Sequence, residues 1–249
     1  MTTGVTHPRA RALLATLSTR VDAAAGEDRG MRAAATSAGV GILLLAVLAT
    51  FGVLFAVDGL VTPGNAARTA RDVIGSETLF RLGIVSLLLT AAIDVVVAWG
   101  LYRVFRRTSS GLSMLAALFR LAYATAFLGA VGHLVGALRA LHASLGPFSV
   151  AQNQARALSE VDAFHDVFSA GLVLFGAHLI LVGYLAYRSG FVPRLLGALV
   201  CLAGAGYVFD SFATVLTDGR APAVATVTFL GEFLFGVWLL ARGRRLACG

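Results

Sequence analysis

The chain contains no lysine; all 20 of its basic residues are arginine. Charge of either sign is scarce, at 13% of 249 residues against 58% hydrophobic. A water-soluble domain needs far more polar surface, so the balance excludes a soluble globular fold and predicts one membrane domain without a separate soluble unit. Cysteine is nearly absent: Cys201 lies inside an apolar run and Cys248 near the C-terminal end. That excludes a disulfide framework and leaves Cys201 as a small packing residue. No Ser-His-Asp order, GxSxG elbow, CxxC pair or HExxH spacing is present, so no standard nucleophile or metal motif announces itself. The formal charge of +7 does not predict nucleic-acid binding either, because the arginines stand in ones to threes at the ends of apolar runs. Such placement marks membrane topology rather than a phosphate-binding stripe.

What is present is a series of apolar runs long enough to cross about 30 Å of hydrocarbon. The spacing predicts an all-α integral membrane bundle with spans over residues 34–57, 81–104, 112–138, 163–187, 195–216 and 223–241. Residues 33–241 form the transmembrane domain, 1–32 a polar N-terminal segment and 242–249 a tail. Leu13, Leu14, Leu17 and Val21 fall at helical spacing, which predicts an amphipathic surface helix over 8–24. Pro63, Gly64 and Asn65 break the chain before a short helix carrying Glu77 and Arg81, four apart and able to pair. Further breaks fall at Gly146–Pro147 and at Gly219 with Pro222, and 150–160 reads as a separate interfacial helix. The N-terminus, the loops at 103–107 and 188–194 and the tail carry 13 arginines, the opposite side six, and Arg120 lies within a span. This bias predicts both termini in the cytoplasm of a bacterial plasma membrane crossed six times. Gly197, Cys201 and Ala205 recur every four residues and predict close packing of the fifth span on a neighbour; Gly204 and Gly206 alternatively leave room for a ligand.

Ionisable groups inside spans are costly unless paired, so they face the bundle interior and often mark function. Depth along alternating spans predicts an inner cluster of Asp94, Arg120 and His178 and an outer one of His133, His165, Asp166, Asp210 and Glu232. Asp94 and Arg120 are expected to form a structural ion pair, with a proton or anion relay through His178 as the alternative. His133, His165 and Asp166 have the side chains of a metal site but no ligand spacing, and no metal or cofactor is expected. Asp210 and Glu232 sit among Tyr207, Phe212, Phe233 and Trp238. A carboxyl held neutral in such a pocket can donate a proton to a lipophilic substrate, and aromatic faces can stabilise a developing cation. The plainer alternative is that each acid bonds a neighbouring helix and the rings are packing residues.

The segments ETLFR at 77–81, IDVVVAWGLY at 93–102, FRLAYA at 119–124, HLILVGYLAYRSGFVPRLLG at 178–197, GYVFDS at 206–211 and GE at 231–232 resemble a multi-pass bacterial membrane family catalogued as domain of unknown function 4386. The resemblance covers about residues 35–243, with RSGFVPRLLG its most specific stretch. It implies a six-span helical bundle and brings no substrate, cofactor or catalytic residue. The functional expectation is a semi-buried acidic and aromatic pocket that binds a small or lipophilic molecule, with Asp210 and Glu232 as acids and Tyr207, Phe212, Phe233, Trp238 and His178 as ligand-binding side chains. Three alternatives stand beside it. One is an intramembrane enzyme acting on an isoprenoid-like lipid, such as a terpene cyclase; another is a proton-coupled transporter; the third is a non-catalytic partner protein.

Overall fold

Local chemistry sets the helix ends. Ser109 accepts from Leu112 N at 3.4 Å, Ser149 and Gln152 form a reciprocal capping box, and Asn65 accepts from Arg68 N at 3.0 Å. These are the residues that satisfy otherwise orphaned N–H groups at a helix start. A computed structural model describes residues 8–143, 148–217, 224 and 229–243. The breaks predicted at Gly146–Pro147 and at Gly219 with Pro222, the start of the sixth run, and Cys248 in the tail lie outside the described residues.

The elements are α1 (Pro8–Thr50), a π-helical turn (Phe51–Val57), α2 (Ala66–Gly75), α3 (Glu77–Phe105), α4 (Ser110–Leu141), α5 (Val150–Arg188), α6 (Arg194–Thr217) and α7 (Leu230–Arg242). Among the described residues, five helical segments are long and apolar enough to cross a membrane: 26–57, α3, α4, α5 and α6. The described part of α7 is 13 residues, too short by itself to span. Lipid contact fits the outward faces, where Val47, Leu82, Trp99, Leu118 and Leu202 are all more than half exposed. A helix that is apolar all round belongs in a core or a membrane.

Three boundaries differ from the sequence expectation. Helix α1 runs through residue 32 without a break, so 8–24 continues the first span rather than forming a separate helix. Nothing between Gly26 and Thr50 removes a backbone donor, and the ladder propagates. The segment 150–160 likewise merges with the fourth span into a 39-residue helix, because the capping box at Ser149 starts it and no breaker follows. At about 1.5 Å per residue α5 is far longer than the hydrocarbon, so its polar start projects beyond it. Glu77 and Arg81 do pair, at 2.6 Å, but in the first turn of α3; the preceding short helix is α2, and Ser76 separates the two.

Six of these helices close into a ring in chain order. Helix α1 packs on α3, α3 on α4, α4 on α5, α5 on α6, α6 on α7, and α7 returns to α1, while α2 lies against α5. Helices α5 and α6 approach closely along several turns. A Cβ added at Gly183 would fall 2.5 Å from Cys201 N, one at Gly197 2.6 Å from Tyr187 N, and one at Gly204 2.5 Å from Gly176 O. The predicted small-residue packing is therefore present, but through Gly197, Cys201 and Gly204. Ala205 points outward, and Gly204 faces backbone rather than a ligand. Cys201 Sγ also donates to Ile180 O at 3.3 Å across the same contact.

Candidate functional site

The ring is apolar outside and charged at its centre. Asp94 on α3 is 2% exposed, Arg120 on α4 1% and His178 on α5 0%. Arg120 Nε donates to Asp94 Oδ1 at 2.8 Å, and Nη2 approaches the same oxygen at 2.6 Å. The predicted ion pair is thus made, by two N–H groups on one oxygen. Such a pair resists solvent-free burial only when its remaining polar atoms are also met. His178 meets one of them. Its Nε2 lies 3.1 Å from Arg120 Nη1, and its Nδ1 2.8 Å from Ala116 O. A guanidinium can only donate and a carbonyl only accept, so Nε2 accepts and Nδ1 carries the proton. The imidazole is therefore neutral and held in one tautomer. A relay through His178 would need a second proton on the nitrogen already occupied by Arg120.

Glu232, in the first turn of α7, approaches the same guanidinium, with Oε1 3.9 Å from the Nη1 that His178 meets. It joins the inner cluster, contrary to the outer position expected from its span. Apolar runs locate the first turn of a helix only loosely, and the beginning of α7 brings Glu232 to the level of Arg120. Phe175 turns its ring face to Arg120, 5.2 Å from Cζ.

Beside these groups is a cavity of about 210 Å³, and each helix of the ring lends it a side chain: Leu45 from α1, Asp94 from α3, Arg120 from α4, Phe175 from α5, Tyr207 from α6 and Glu232 from α7. Thr50, Phe229 and Phe233 also line it and are themselves exposed, so its mouth lies between the end of α1 and the start of α7. The π turn begins there: Asp58 N bonds Val53 O, five residues back, at 2.8 Å, and Val53 lines the cavity. Single π turns occur often at functional sites because they re-aim side chains within a helix. A larger depression of about 720 Å³, bordered by Val40, Leu44 and Ile93, lies open on the lipid-facing flank of α1 and α3. It has the character of a lipid groove rather than an enclosed site.

The expected site residues divide. Glu232, Tyr207 and Phe233 line the cavity together with both members of the ion pair, and His178 stands behind Arg120. Asp210 does not line it. Its Oδ1 accepts from Val224 N at 2.9 Å, which ties the end of α6 to the following segment, so Asp94 and not Asp210 shares the cavity with Glu232. Phe212 is 55% exposed on the outside of α6, and Trp238 borders a shallow outer depression with Leu195 and Leu199. Four further rings, Tyr123, Phe127, Phe168 and Phe175, were not expected. Tyr123 follows Arg120 by three residues, and Phe175 precedes His178 by three, so helical spacing from the buried charges would have found both. His133 bonds Glu160 at 2.7 Å and His165 meets Asp58 at 3.2 Å, while Asp166 is exposed. These three therefore do not converge, and the described residues hold no group of three or more His, Cys, Asp or Glu placed to hold a metal.

An uncharacterized protein of Archaeoglobus fulgidus is 35% identical to this chain over 164 residues, 66% of this chain and 85% of the other. No solved structure matches. A family model matches residues 37–243, a range that takes in every residue lining the cavity, and the chain therefore belongs to the family described as Domain of unknown function (DUF4386).

Proposed function

We propose that this protein crosses a bacterial plasma membrane six times, with both termini in the cytoplasm, and that its axial cavity binds a small lipophilic molecule entering from the bilayer. The arginine bias supports the orientation, and closure of the ring through α7 supports a sixth crossing. The observation that carries the binding reading is the cavity itself: aromatic walls around a few convergent polar groups, with a mouth between two lipid-facing helices. Such a lining is the usual form of a small-molecule site. Volume decides between ligand classes. A dry cavity of about 150 Å³ is known to admit benzene, whereas drug-sized ligands occupy about 300 Å³ or more. At about 210 Å³ the cavity suits a compact molecule or the end of a chain, not a folded isoprenoid. That argues against cyclisation of a large terpene, and Asp210 is not at hand as a second acid.

The test is thermal unfolding of the purified protein with toluene as a neutral probe. Saturating binding at 100 times Kd stabilises by about 2.7 kcal/mol, or several degrees in Tm. We expect that rise in the unsubstituted protein and its loss in Ala49→Phe, which fills the cavity from α1. An equal rise in both, or none in either, overturns the reading.

A further inference from the structure

We infer, resting on the pocket reading, that the cavity's preferred occupant is a compact lipophilic monocation, an amine or quaternary ammonium, with Glu232 as its counter-ion. The charge tally comes first. Arg120 and Asp94 neutralise each other through two contacts to one oxygen, and His178 is held neutral by the directions of its hydrogen bonds. Glu232 is left over. Its nearest cation is Arg120 Nη1 at 3.9 Å, beyond hydrogen-bond range, and among the described residues its carboxyl has no side-chain hydrogen bond. It is 15% exposed and borders the cavity. With Glu232 as carboxylate the cavity holds one negative charge in excess. A monocation brings the sum to zero, whereas an anion deepens it in a medium that penalises net charge.

The walls have the matching chemistry. Aromatic faces attract cations, and quaternary ammonium groups are held in cages of such rings. Tyr123 and Phe175 stand 4.8 Å apart and Phe175 and Tyr207 5.3 Å, forming a continuous aromatic wall beside Glu232, with Phe229 and Phe233 at the mouth. Phe175 already presents its face to the guanidinium of Arg120, so the wall accepts positive charge as built. Arg120 is the sole basic residue bordering the cavity among those described, so no further cation competes for Glu232.

The experiment compares choline with the neutral alcohol in which a tert-butyl group replaces the trimethylammonium. The two have the same shape and differ in charge. We expect choline to raise Tm in a saturable way, with an apparent affinity at least about tenfold above that of the alcohol. Glu232→Gln should abolish that preference while leaving the alcohol unaffected. Tyr207→Leu, which keeps the carboxyl, should reduce the preference in the same direction and serves if Glu232→Gln does not fold. Equal binding of the two probes, or a choline preference that survives Glu232→Gln, overturns the cation inference and leaves the pocket reading standing. Toluene binding without choline binding has the same meaning. Failure of toluene, choline and the alcohol together removes both.

Discussion

The same chemistry, a base against a carboxylate, is used in two places with different surroundings. At the centre of the ring Arg120 and Asp94 are almost wholly out of solvent, with His178 behind them. At one end of the bundle three histidines each meet an acid from another element: His142 with Glu77, His165 with Asp58 and His133 with Glu160. Those side chains are between 28% and 50% exposed. The opposite end uses arginine again, where Arg106 and Arg107 meet Glu27 and tie α3 to α1. The buried pair uses the permanently charged base with a planar fork, which can hold one carboxylate oxygen twice and still reach a second partner. The exposed end uses a base that need not be charged at all. Burial thus makes pairing at the centre obligatory. At the end, water can replace either partner, and the contacts act as ties between helices rather than as supports.

The largest expected effect follows from breaking the central pair on one side. Arg120→Leu leaves Asp94 unpaired in the ring, and removal of one partner of a buried pair costs about 3–5 kcal/mol. We expect little folded protein in detergent, measured by size exclusion and thermal unfolding. The double substitution Asp94→Leu with Arg120→Leu should recover most of that loss, because two apolar side chains can replace a buried pair at little net cost. If the double variant were as unstable as the single, the contact would be required for something other than charge compensation.

A smaller effect is expected one shell out. His178→Leu removes an acceptor from Arg120 Nη1 and a donor from Ala116 O, without stranding a charge. Each group left unsatisfied costs about 1–3 kcal/mol, and interhelical bonds in membranes fall at the low end, so a loss of about 2 kcal/mol is expected. A double-mutant cycle with Arg120→Leu checks the assignment: coupling should be clear between His178 and Arg120, which share the contact at Nη1.

How much of this was legible in the sequence depended on the kind of signal. Apolar runs located α3, α4 and α6 to within a few residues, because lipid demands a minimum length and charged or breaker residues end it. The Asp94–Arg120 pair could be read because an arginine within a span needs a partner and the neighbouring span offered one. Glu232 and Asp210 were placed together because both lie among aromatic residues in adjacent spans. Rotation about each helix axis, which puts Glu232 into the cavity and Asp210 against Val224, depends on ring closure and is not written in local composition. The continuity of α1 and α5 was also missed, because a change from polar to apolar residues resembles a boundary even where no residue interrupts the backbone ladder.

The smallest effect is expected at the exposed end, and it tests the comparison most sharply. His165 meets Asp58 at 3.2 Å with both side chains well over a third exposed. Exposed ion pairs contribute about 0–1 kcal/mol, so His165→Gln should shift Tm by no more than a few degrees. Asp58 closes the π turn through its backbone N–H, a bond that does not involve the carboxylate, so the turn should survive the substitution. Toluene binding should also be unchanged, since neither residue borders the cavity. If His165→Gln instead destabilised the protein as much as His178→Leu, exposure would not be what separates the two regions. The tie between the π turn and α5 would then have to hold the cavity's mouth in place, and loss of toluene binding in the same variant would show it.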